Sequence, residues 1–398
     1  MTDYDVVISG AGPVGTVAAY ALAKAGLKVL IAEAGATCAE DLRASTFHPP
    51  TLEMLDELGI YEELKPLGLE APVYQYRVRD TGDILSFDLS ELGDITPFPF
   101  RLQAEQYKLS RLLIGRLEQM AGADVRFEHR VVHFNQDADG VTVAFETPTD
   151  IVRVRSKFLI AADGANSIVR KWLSVRFDGF TYPEKFLCLS TEYPIEQHFE
   201  NLALVNYVAD PSEWLVLLRV PSLWRVLLPA PESESDVDLK SDAKKERVFA
   251  DLVGDPSVKT AHRTIYRVHQ RVAERYDHGR VLLAGDSAHL NNPLGGLGMN
   301  SGIHDAVNLC KRLIRIVLDT ADAPSELAQY DRQRRTVMHD FVQAQTVANK
   351  RMLEQVGVAA RNAHYQSMRA VIDDPVARRG YLMKQAMFTS IADAAAIN

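Results

Sequence analysis

The chain has 398 residues, of which 47% are hydrophobic, and its formal net charge is −9. This length predicts about two to three domains, and the hydrophobic content is ordinary for a globular protein. The negative charge argues against a nucleic-acid-binding protein, whose binding face would be basic. No run of about 18 apolar residues is present, so we expect no transmembrane helix.

The three cysteines, Cys38, Cys188 and Cys310, are scattered along the chain. Their spacing is unlike that of a disulfide framework or a metal cluster, so we expect no metal site. The first predicted strand begins within a few residues of Met1, so we expect no signal peptide. We therefore expect a cytoplasmic protein that acts away from membranes and nucleic acids.

The N-terminal residues predict a strand, a glycine-rich turn, a helix and a second strand. Residues 5–9 are an apolar run typical of a buried parallel strand, residues 16–25 have helical composition, and residues 28–32 predict the second strand. The turn has the spacing Gly10-x-Gly12-x-x-Gly15, and Glu33 follows the second strand. Glycines at this spacing, in a βαβ unit with an acidic residue about 20 positions on, are the fingerprint of a dinucleotide site.

Each residue of this fingerprint has a physical reason. Gly10 permits the tight turn, and Gly12 lets a pyrophosphate approach the backbone closely. Gly15 allows the helix to pack tightly on the strand, and Glu33 can hold the ribose hydroxyls. The alternative is a glycine-rich turn that binds no ligand.

The predicted elements that follow are both helical and extended. Residues 49–58 and 103–120 predict helices, the second with an apolar stripe. Residues 124–155 alternate as an antiparallel meander, and residues 158–162 predict a buried strand that leads into Asp163. Further strands are expected at 214–220 and 224–228, and a long amphipathic helix at 324–356.

A second glycine-rich segment lies far from the first along the chain. Residues 281–284 predict a strand, Asp286 follows it, and the glycine-rich turn up to Gly298 precedes a helix that begins near Met299. The aspartate can accept hydrogen bonds from sugar or ribityl hydroxyls. The helix N-terminus offers free N–H groups and a partial positive charge. This segment therefore predicts a site for an anionic part of a cofactor.

The motifs together resemble a known family. They are Gly10-x-Gly12-x-x-Gly15 with Glu33, Arg43-Ala44, Gln103, Ala162-Asp163-Gly164-Ala165-Asn166-Ser167-x-x-Arg170, and Gly285-Asp286-Ser287-Ala288-His289 with Pro293, Gly298 and Asn300. In this order they resemble the single-component FAD-dependent aromatic hydroxylases, the group that includes 4-hydroxybenzoate and phenol hydroxylases. The resemblance covers roughly residues 1–350.

The resemblance implies an α/β fold with three parts. A Rossmann-type βαβ FAD-binding domain would be discontinuous, over residues 1–72, 101–174 and 276–350. A β-rich substrate-binding domain would be inserted as residues 73–100 and 175–275. Residues 351–398 would form a C-terminal helical segment, of which the apolar residues 381–388 could close over the flavin or line the contact of a homodimer.

The resemblance also implies the cofactors and the chemistry. FAD would be bound, NADH or NADPH would reduce it, and O2 would react with it to form a flavin C4a-hydroperoxide that hydroxylates a small phenolic or hydroxylated heteroaromatic substrate. The cofactor would carry the difficult step, and the protein would supply orientation and exclude water. Two alternatives stay open: an FAD-dependent dehydrogenase without oxygen insertion, and a flavoprotein whose FAD is only structural.

The family's roles carry over to matched positions. The residues expected to contact FAD are Gly10, Gly12, Pro13, Gly15, Glu33, Arg43, Gln103, Asp163, Asp286, Gly298, Met299 and Asn300. Of these, Asp163 is associated with both FAD and NAD(P)H in the family, and Met299 lies where the helix would approach the flavin.

Residues on the substrate side are also expected from the family. Those expected to contact the substrate are Thr46, Phe47, Tyr207, Trp224 and Pro293. His48 is a candidate base that accepts the phenol proton, because an unperturbed imidazole titrates near neutrality. Its alternative is to cap the helix that starts at Pro49-Pro50 or to pack under the loop. Arg225 is a candidate partner for a substrate carboxylate, with a solvated strand residue as the alternative.

Overall fold

The computed structural model describes residues 2–40, 44–210, 213–354 and 358–397. The strands are β1 (Tyr4–Ser9), β2 (Val29–Ala32), β3 (Thr46–Phe47), β4 (Leu69–Ala71), β5 (Val73–Val78), β6 (Ile84–Asp88), β7 (Arg101–Gln103), β8 (Ala123–Arg126), β9 (Arg130–Gln136), β10 (Val141–Glu146), β11 (Ile151–Ala161), β12 (Phe177–Thr191), β13 (Val205–Ala209), β14 (Leu215–Arg219), β15 (Trp224–Pro231), β16 (His262–Ala273), β17 (Asp277–His278), β18 (Val281–Leu283) and β19 (His289–Leu290). The α-helices are α1 (Pro13–Lys24), α2 (Pro49–Glu57), α3 (Tyr61–Leu64), α4 (Gln106–Leu117), α5 (Ile168–Trp172), α6 (Asp236–Leu239), α7 (Asp242–Val253), α8 (Leu297–Leu318), α9 (Ala323–Val337), α10 (Ala344–Leu353), α11 (Val358–Asp373), α12 (Pro375–Gln385) and α13 (Phe388–Ala396).

The first sheet is parallel at its centre, with the strand order β17-β18-β11-β1-β2-β8. Strands β18, β11, β1, β2 and β8 run parallel to one another. Their apolar side chains are buried with those of α1, α4 and α8 in one core. Strands with helices on their faces read as continuous apolar runs, which is why residues 5–9 and 28–32 were recognisable as strands.

The meander predicted at 124–155 differs in the structure. Strand β8 joins the parallel sheet beside β2, while β9 and β10 pair antiparallel with each other and β10 pairs with β11. Strand β11 continues from that hairpin into the parallel sheet, so one strand covers two predicted ones. Its second half pairs with β1, and this pairing could not be read from local alternation.

The second sheet has the order β19-β16-β12-β15-β14-β13-β5-β6. Its pairs are antiparallel except for β13 beside β5. One face packs on α7 through Val248, Phe249 and Leu252. The opposite face packs on α11 and α12 and also faces the first sheet's loops. The sheet is therefore covered on both sides, and consecutive residues of each strand point to different environments.

A small sheet, β3-β7-β4, connects these two units. Residues 101–103 are extended because Leu102 and Gln103 pair with both neighbouring strands. The helix predicted at 103–120 consequently begins only at Gln106 and ends at Leu117.

The C-terminal part of the chain is helical, as predicted. The long helix expected at 324–356 is present as α9 and α10, joined by a π-helical turn at Met338–Gln343. Leu382 of α12 and Ala386, which follows that helix, pack on the second sheet, while Met387 and Ala394 pack in the first core. The last helices therefore hold the two units together.

The predicted α/β fold class is confirmed. The chain enters the second sheet at β5 and β6, returns to the first sheet at β8 to β11, and enters the second sheet again at β12 to β16. The domain boundaries at 72, 100, 174, 275 and 350 stay predictions. Among the described residues, none of the helices combines the length and apolarity that a membrane crossing requires.

Candidate active site

A cavity of about 990 Å³ lies between the carboxyl ends of the parallel strands and the second sheet. Ligands of open α/β sheets bind at this edge, where loops from several strands meet. The cofactor segments that line it are 9–14, 32–34, 162–166, residues 284 and 286, and 298–299. We call this part of the cavity the cofactor end.

The other part of the cavity is formed by the second sheet and the loops that face it. Its lining includes Arg101, Cys188, Val205, Tyr207, Val216, Leu218, Arg225, Leu227, Pro293 and Leu294. We call this part the substrate end. Most of these side chains are apolar or aromatic, which suits a small ring.

The glycine-rich turn after β1 leaves no space for side chains at two positions. Gly10 has a φ of 102°, and a Cβ atom there would lie 2.4 Å from the Ala162 carbonyl oxygen. A Cβ atom at Gly15 would lie 2.0 Å from the Gly10 carbonyl oxygen. At Gly12, in contrast, a Cβ atom would meet nothing within 4 Å. Gly12 lines the cavity, so a side chain there would take up ligand space.

Glu33 is held in place by backbone N–H groups. Its Oε2 accepts from Ala11 N at 2.8 Å, and its Oε1 accepts from Gly35 N at 3.0 Å. The carboxylate therefore lies beside the glycine-rich turn and lines the cavity. This is where the dinucleotide fingerprint expects an acceptor for ribose hydroxyls.

The second glycine-rich segment meets the first at the start of α1. Gly285 has a φ of 62°, and a Cβ atom there would lie 2.8 Å from Val14 Cγ2. Asp286 lines the cavity one residue later. Helix α8 begins at Leu297, close to the predicted Met299, and Gly298 and Met299 of its first turn line the cavity.

A buried network that the sequence analysis missed lies behind Asp286. Asp305 accepts hydrogen bonds from Gly285 N at 3.1 Å and Arg334 Nε at 2.7 Å, and it lies 2.6 Å from His289 Nε2. Burial by itself would raise the pKa of Asp305, but the charges and hydrogen bonds of His289 and Arg334 hold it below its ordinary value. The ionised carboxylate thus anchors the turn that carries Asp286.

Asp163 has a local structural role as well as a place in the cavity wall. Its Oδ2 accepts from Ile168 N at 2.8 Å and from Val169 N at 3.3 Å, at the start of α5. Its Oδ1 is buried without a hydrogen-bond partner among the described residues. Burial raises the pKa of this carboxyl group, which is the expected effect of desolvation.

Three of the predicted cofactor residues lie behind the cavity wall. Gln103 Oε1 accepts from Thr46 Oγ1 at 2.9 Å. Asn300 Oδ1 accepts from His48 N at 2.9 Å, and Asn300 Nδ2 donates to the Thr46 carbonyl at 2.8 Å. With Gly15, they are not among the described residues that line the cavity. Gln103 holds β3 against β7 and Asn300 holds it against α8, rather than facing the ligand space.

The prediction that His48 is a base does not fit its position. His48 is fully buried, its Nε2 lies 2.8 Å from the Gly295 carbonyl oxygen, and it is not among the described cavity-lining residues. Burial and the nearby charge of Arg101 lower the pKa of His48 well below its usual range. Its neighbour Phe47 is also fully buried, within the first core, because β3 lies inside the protein rather than at its surface.

Strand β15 separates two residues that were both predicted to be at the site. Trp224 packs with Val226 and Leu228 against the α7 side of the sheet. Arg225 faces the cavity, because successive residues of a strand point to opposite faces. The prediction that Trp224 contacts the substrate is therefore wrong, because Trp224 lies on the face of β15 that points away from the cavity. Arg225 donates to Ser45 Oγ at 3.1 Å and Tyr266 OH at 3.2 Å.

Arg101 is the feature of the substrate end that the sequence analysis missed. It is 1% exposed and lines the cavity, and its Cζ lies 4.2 Å from the centroid of the Tyr74 ring. Its Nε and Nη2 have no hydrogen-bond partner among the described residues. A cation–π contact contributes about 1 to 2 kcal/mol, whereas burying a charge costs several kcal/mol. The aromatic contact alone therefore does not offset the burial of this guanidinium.

The predicted site residues thus fall into three groups. Arg43 lies outside the described residues. Those behind the cavity wall are Gly15, Phe47, His48, Gln103, Trp224 and Asn300. Those in the wall are Gly10, Gly12, Pro13, Glu33, Thr46, Asp163, Tyr207, Arg225, Asp286, Pro293, Gly298 and Met299.

The cofactor end fits FAD. Two helix N-termini, those of α1 and α8, open into one cavity together with the Glu33 carboxylate. Such termini favour phosphate and other negative charge. The space beside Gly12 that a Cβ atom would enter is available for a pyrophosphate. Among the described residues, no group of three or more metal-ligating side chains is present.

Comparisons with known proteins agree with this geometry. The model of the family described as "FAD binding domain" matches residues 3–345. The chain is 34% identical over 361 residues to para-nitrophenol 4-monooxygenase of Pseudomonas sp. (strain WBC-3), covering 89% of each chain. It is 33% identical over 339 residues to 6-hydroxy-3-succinoylpyridine 3-monooxygenase of Pseudomonas putida, covering 83% of this chain and 85% of the relative. The crystal structure of p-nitrophenol 4-monooxygenase from Pseudomonas putida DLL-E4 superposes with a TM-score of 0.91 at 29% identity, covering 97% of this chain and 98% of that one.

Proposed function

The chain belongs to the FAD-dependent aromatic monooxygenases, and from this premise we propose that it hydroxylates a small phenolic or hydroxylated heteroaromatic compound with NAD(P)H and O2. The observation that carries the proposal is the continuity of the cavity. A dinucleotide-binding turn, the start of α8 and the inner face of the second sheet all line one space. A cofactor ring and a substrate ring can therefore meet there.

The protein's part in the reaction begins with holding the cofactor. When bound, FAD accepts a hydride from the nicotinamide and supplies one oxygen atom of O2 to the substrate ring. Gly12, Pro13 and Glu33 would hold its ADP half, and Asp286 its ribityl or pyrophosphate part. The backbone N–H groups of Gly298 and Met299, at the start of a 22-residue helix, would stabilise negative charge on the flavin.

The substrate end supplies orientation and a dry environment. Val205, Val216 and Leu227 present apolar surface to the cavity, and each is less than 10% exposed. Excluding water favours transfer of the activated oxygen to the substrate over its unproductive release as H2O2. Tyr207 and Arg225 add polar groups to this wall, and polar groups fix the direction in which a ring lies.

The chemical range of the substrate follows from the relatives. One acts on a nitrophenol and the other on a hydroxypyridine, as their names say. We therefore propose a single-ring substrate that carries a hydroxyl group. The dehydrogenase alternative is not favoured, because both relatives are monooxygenases. The use of NADH or NADPH, a cytoplasmic location and a homodimer remain predictions.

The test is a screen of the purified protein. Bound FAD should be visible by its absorbance, and phenols, hydroxybenzoates and hydroxypyridines should be screened for stimulated oxidation of NADH and NADPH. With 18O2, the product of a true substrate should gain one labelled oxygen atom. Faster NAD(P)H oxidation that yields only H2O2 for every compound would contradict hydroxylation. A protein that takes up no FAD would contradict the cofactor assignment itself.

A further inference from the structure

We propose that the substrate end binds its aromatic ligand as an anion and that Arg101 pairs with the negative oxygen of that ligand. The inference rests on the proposed function and narrows it to ring compounds that carry an ionised group. The anionic oxygen could belong to a phenolate or to a ring carboxylate. The chemistry of recognition is the same in both cases, and the experiment below separates them.

The first support is that Arg101 is buried without a matching charge. Its Nε and Nη2 have no hydrogen-bond partner among the described residues, although it is 1% exposed. The acids among the described lining residues are Glu33, Asp163 and Asp286, and all three belong to the cofactor segments. The described lining of the substrate end thus offers this guanidinium no carboxylate.

The second support is the position of Arg101. Its guanidinium stacks on the Tyr74 ring, and the Tyr74 ring centroid lies 6.5 Å from that of Tyr207, which lines the cavity. On the other side, His48 is bonded to the carbonyl of Gly295, just before α8. Burial lowers the pKa of His48, and the charge of Arg101 lowers it further. Arg101 therefore lies between the second sheet and the start of α8, where a substrate ring would meet the flavin.

A second buried arginine, Arg77 in β5 of the second sheet, has a structural role. Arg77 donates from Nη1 to Gln75 Oε1 at 2.6 Å and from Nη2 to the Glu200 carbonyl at 2.8 Å. It is 8% exposed and is not among the described cavity-lining residues. Both of its terminal nitrogens are thus used within the protein. Arg77 is a matched control for Arg101.

Guanidinium chemistry specifies the kind of ligand. A planar guanidinium binds carboxylate and other anionic oxygens through charge-assisted hydrogen bonds. A neutral ligand would leave the buried charge of Arg101 unpaired, and an unpaired buried charge is unfavourable. Affinity at the substrate end should therefore depend on whether the ligand is ionised.

The experiment measures ligand binding to the FAD-loaded protein through the change in flavin absorbance, without turnover. One arm compares 4-hydroxybenzoate with 4-hydroxybenzamide, and the other compares 4-nitrophenol above its pKa with 4-nitroanisole. In at least one arm the anion should bind about 10- to 100-fold more tightly than its neutral analogue, the ratio typical of a charged hydrogen bond. The arm that shows the preference identifies a carboxylate or a phenolate.

Variants assign this preference to a residue. Arg101→Met should abolish it, Arg101→Lys should keep part of it, and Arg77→Met should leave it unchanged. Without an aromatic ligand, Arg101→Met should have a Tm no lower than the wild type, since it removes an unpaired buried charge. Arg77→Met should have a lower Tm, because it removes the donor to the Glu200 carbonyl and one of the two donors to Gln75 Oε1.

Several outcomes would overturn the inference. An equal affinity of the wild type for both members of each pair would do so, as would an Arg101→Met variant that keeps the preference. A loss of FAD affinity in Arg101→Met with unchanged ligand preference would assign Arg101 to the cofactor instead. If Arg101→Met fails to fold, the wild-type preference and Arg101→Lys decide the question. If the wild type bound no FAD, that result would contradict the proposed function itself rather than the role of Arg101.

Discussion

The two ends of the cavity are built from different parts of the chain. At the cofactor end, backbone atoms make the surface: Gly10 and Gly285 have left-handed φ angles, and Gly12 leaves a space that a side chain would fill. At the substrate end, side chains such as Arg101 and Tyr207 make the surface, and they project from two different sheets, from β7 and β13 respectively. A backbone surface tolerates little change, whereas a side-chain surface can be altered without disturbing the fold.

The largest expected effect comes from the network that anchors the cofactor end. Asp305→Asn leaves the buried Arg334 without its anionic partner and weakens the contact to Gly285 N. Loss of one partner of a buried ion pair costs about 3 to 5 kcal/mol of unfolding free energy. Chemical denaturation should show this loss, and FAD affinity should fall with it because Asp286 follows the anchored turn.

The same residue predicts a pH dependence. The pKa of Asp305 is lower in the folded protein than its ordinary 3.8, so the unfolded chain takes up a proton more readily. The stabilisation is fully present above pH 3.8 and is lost as the pH falls through the folded-state value. The wild type should therefore lose stability in this acidic range more steeply than Asp305→Asn. Parallel pH profiles of the two proteins would contradict the role of the carboxylate.

Two neighbouring glycines of one turn should respond differently to the same methyl group. Gly15→Ala places a Cβ atom 2.0 Å from a backbone oxygen, and overpacking of this kind costs about 1 to 3 kcal/mol or more. Gly12→Ala meets no protein atom within 4 Å and should leave the apoprotein nearly as stable as the wild type. It should instead weaken FAD binding. The Tm of the apoprotein measures the loss of stability, and a flavin titration measures the loss of FAD affinity. If Gly12→Ala and Gly15→Ala lowered Tm equally and lowered FAD affinity equally, the separate roles of the two glycines would be contradicted.

His48→Gln separates a structural histidine from a catalytic one. The variant loses the contact to the Gly295 carbonyl and leaves some space, so unfolding free energy should fall by about 1 to 3 kcal/mol. The pH profile of kcat/KM should have the same shape in His48→Gln as in the wild type, because His48 is not among the described residues of the cavity wall. An inflection that is present in the wild type and absent from His48→Gln would restore His48 as the base.

The stability of the folded protein should also depend on the protonation of His48. Because the pKa of His48 is well below 6.5 in the folded protein, the unfolded chain binds a proton below pH 6.5 that the folded chain does not. Stability therefore falls as the pH drops below 6.5. His48→Gln should make this fall shallower, as measured by Tm between pH 7 and pH 5.

The smallest effects distinguish the two faces of the second sheet. Trp224→Phe removes a hydrogen bond to Glu196 on the α7 side and should cost about 1 kcal/mol of stability, with ligand affinity unchanged. Tyr207→Phe changes a cavity wall residue and should alter ligand affinity, with little change in Tm. A Trp224→Phe variant with altered ligand affinity would mean that strand β15 faces the cavity differently.

The cofactor end could be predicted from sequence because its constraints are local. Gly10, Gly12 and Gly15 sit in one turn, and their spacing encodes the turn, the ligand approach and the helix packing. The same reasoning found the start of α8 within two residues. Local motifs could not show that Asp305 and Arg334 anchor the second turn, because that network joins three separate elements.

The substrate end depends on strand facing and on long-range pairing. Trp224 and Arg225 are adjacent, and only the pairing of β15 with β12 and β14 decides which of them faces the cavity. Arg101 reaches the cavity wall because it lies in strand β7. The last residue of that strand, Gln103, was predicted to begin a helix. A buried arginine carries no local signal of its burial, so its unpaired nitrogens became visible only in the structure.

The most direct test of the shared cavity is the absorbance spectrum of bound FAD during titration with an aromatic compound that stimulates NAD(P)H oxidation. We predict a saturable change in the flavin bands, since the ligand would lie beside the flavin within one space of about 990 Å³. Calorimetry on the same protein should give the same affinity. Binding detected by calorimetry with an unchanged flavin spectrum would place the substrate elsewhere and would contradict the account.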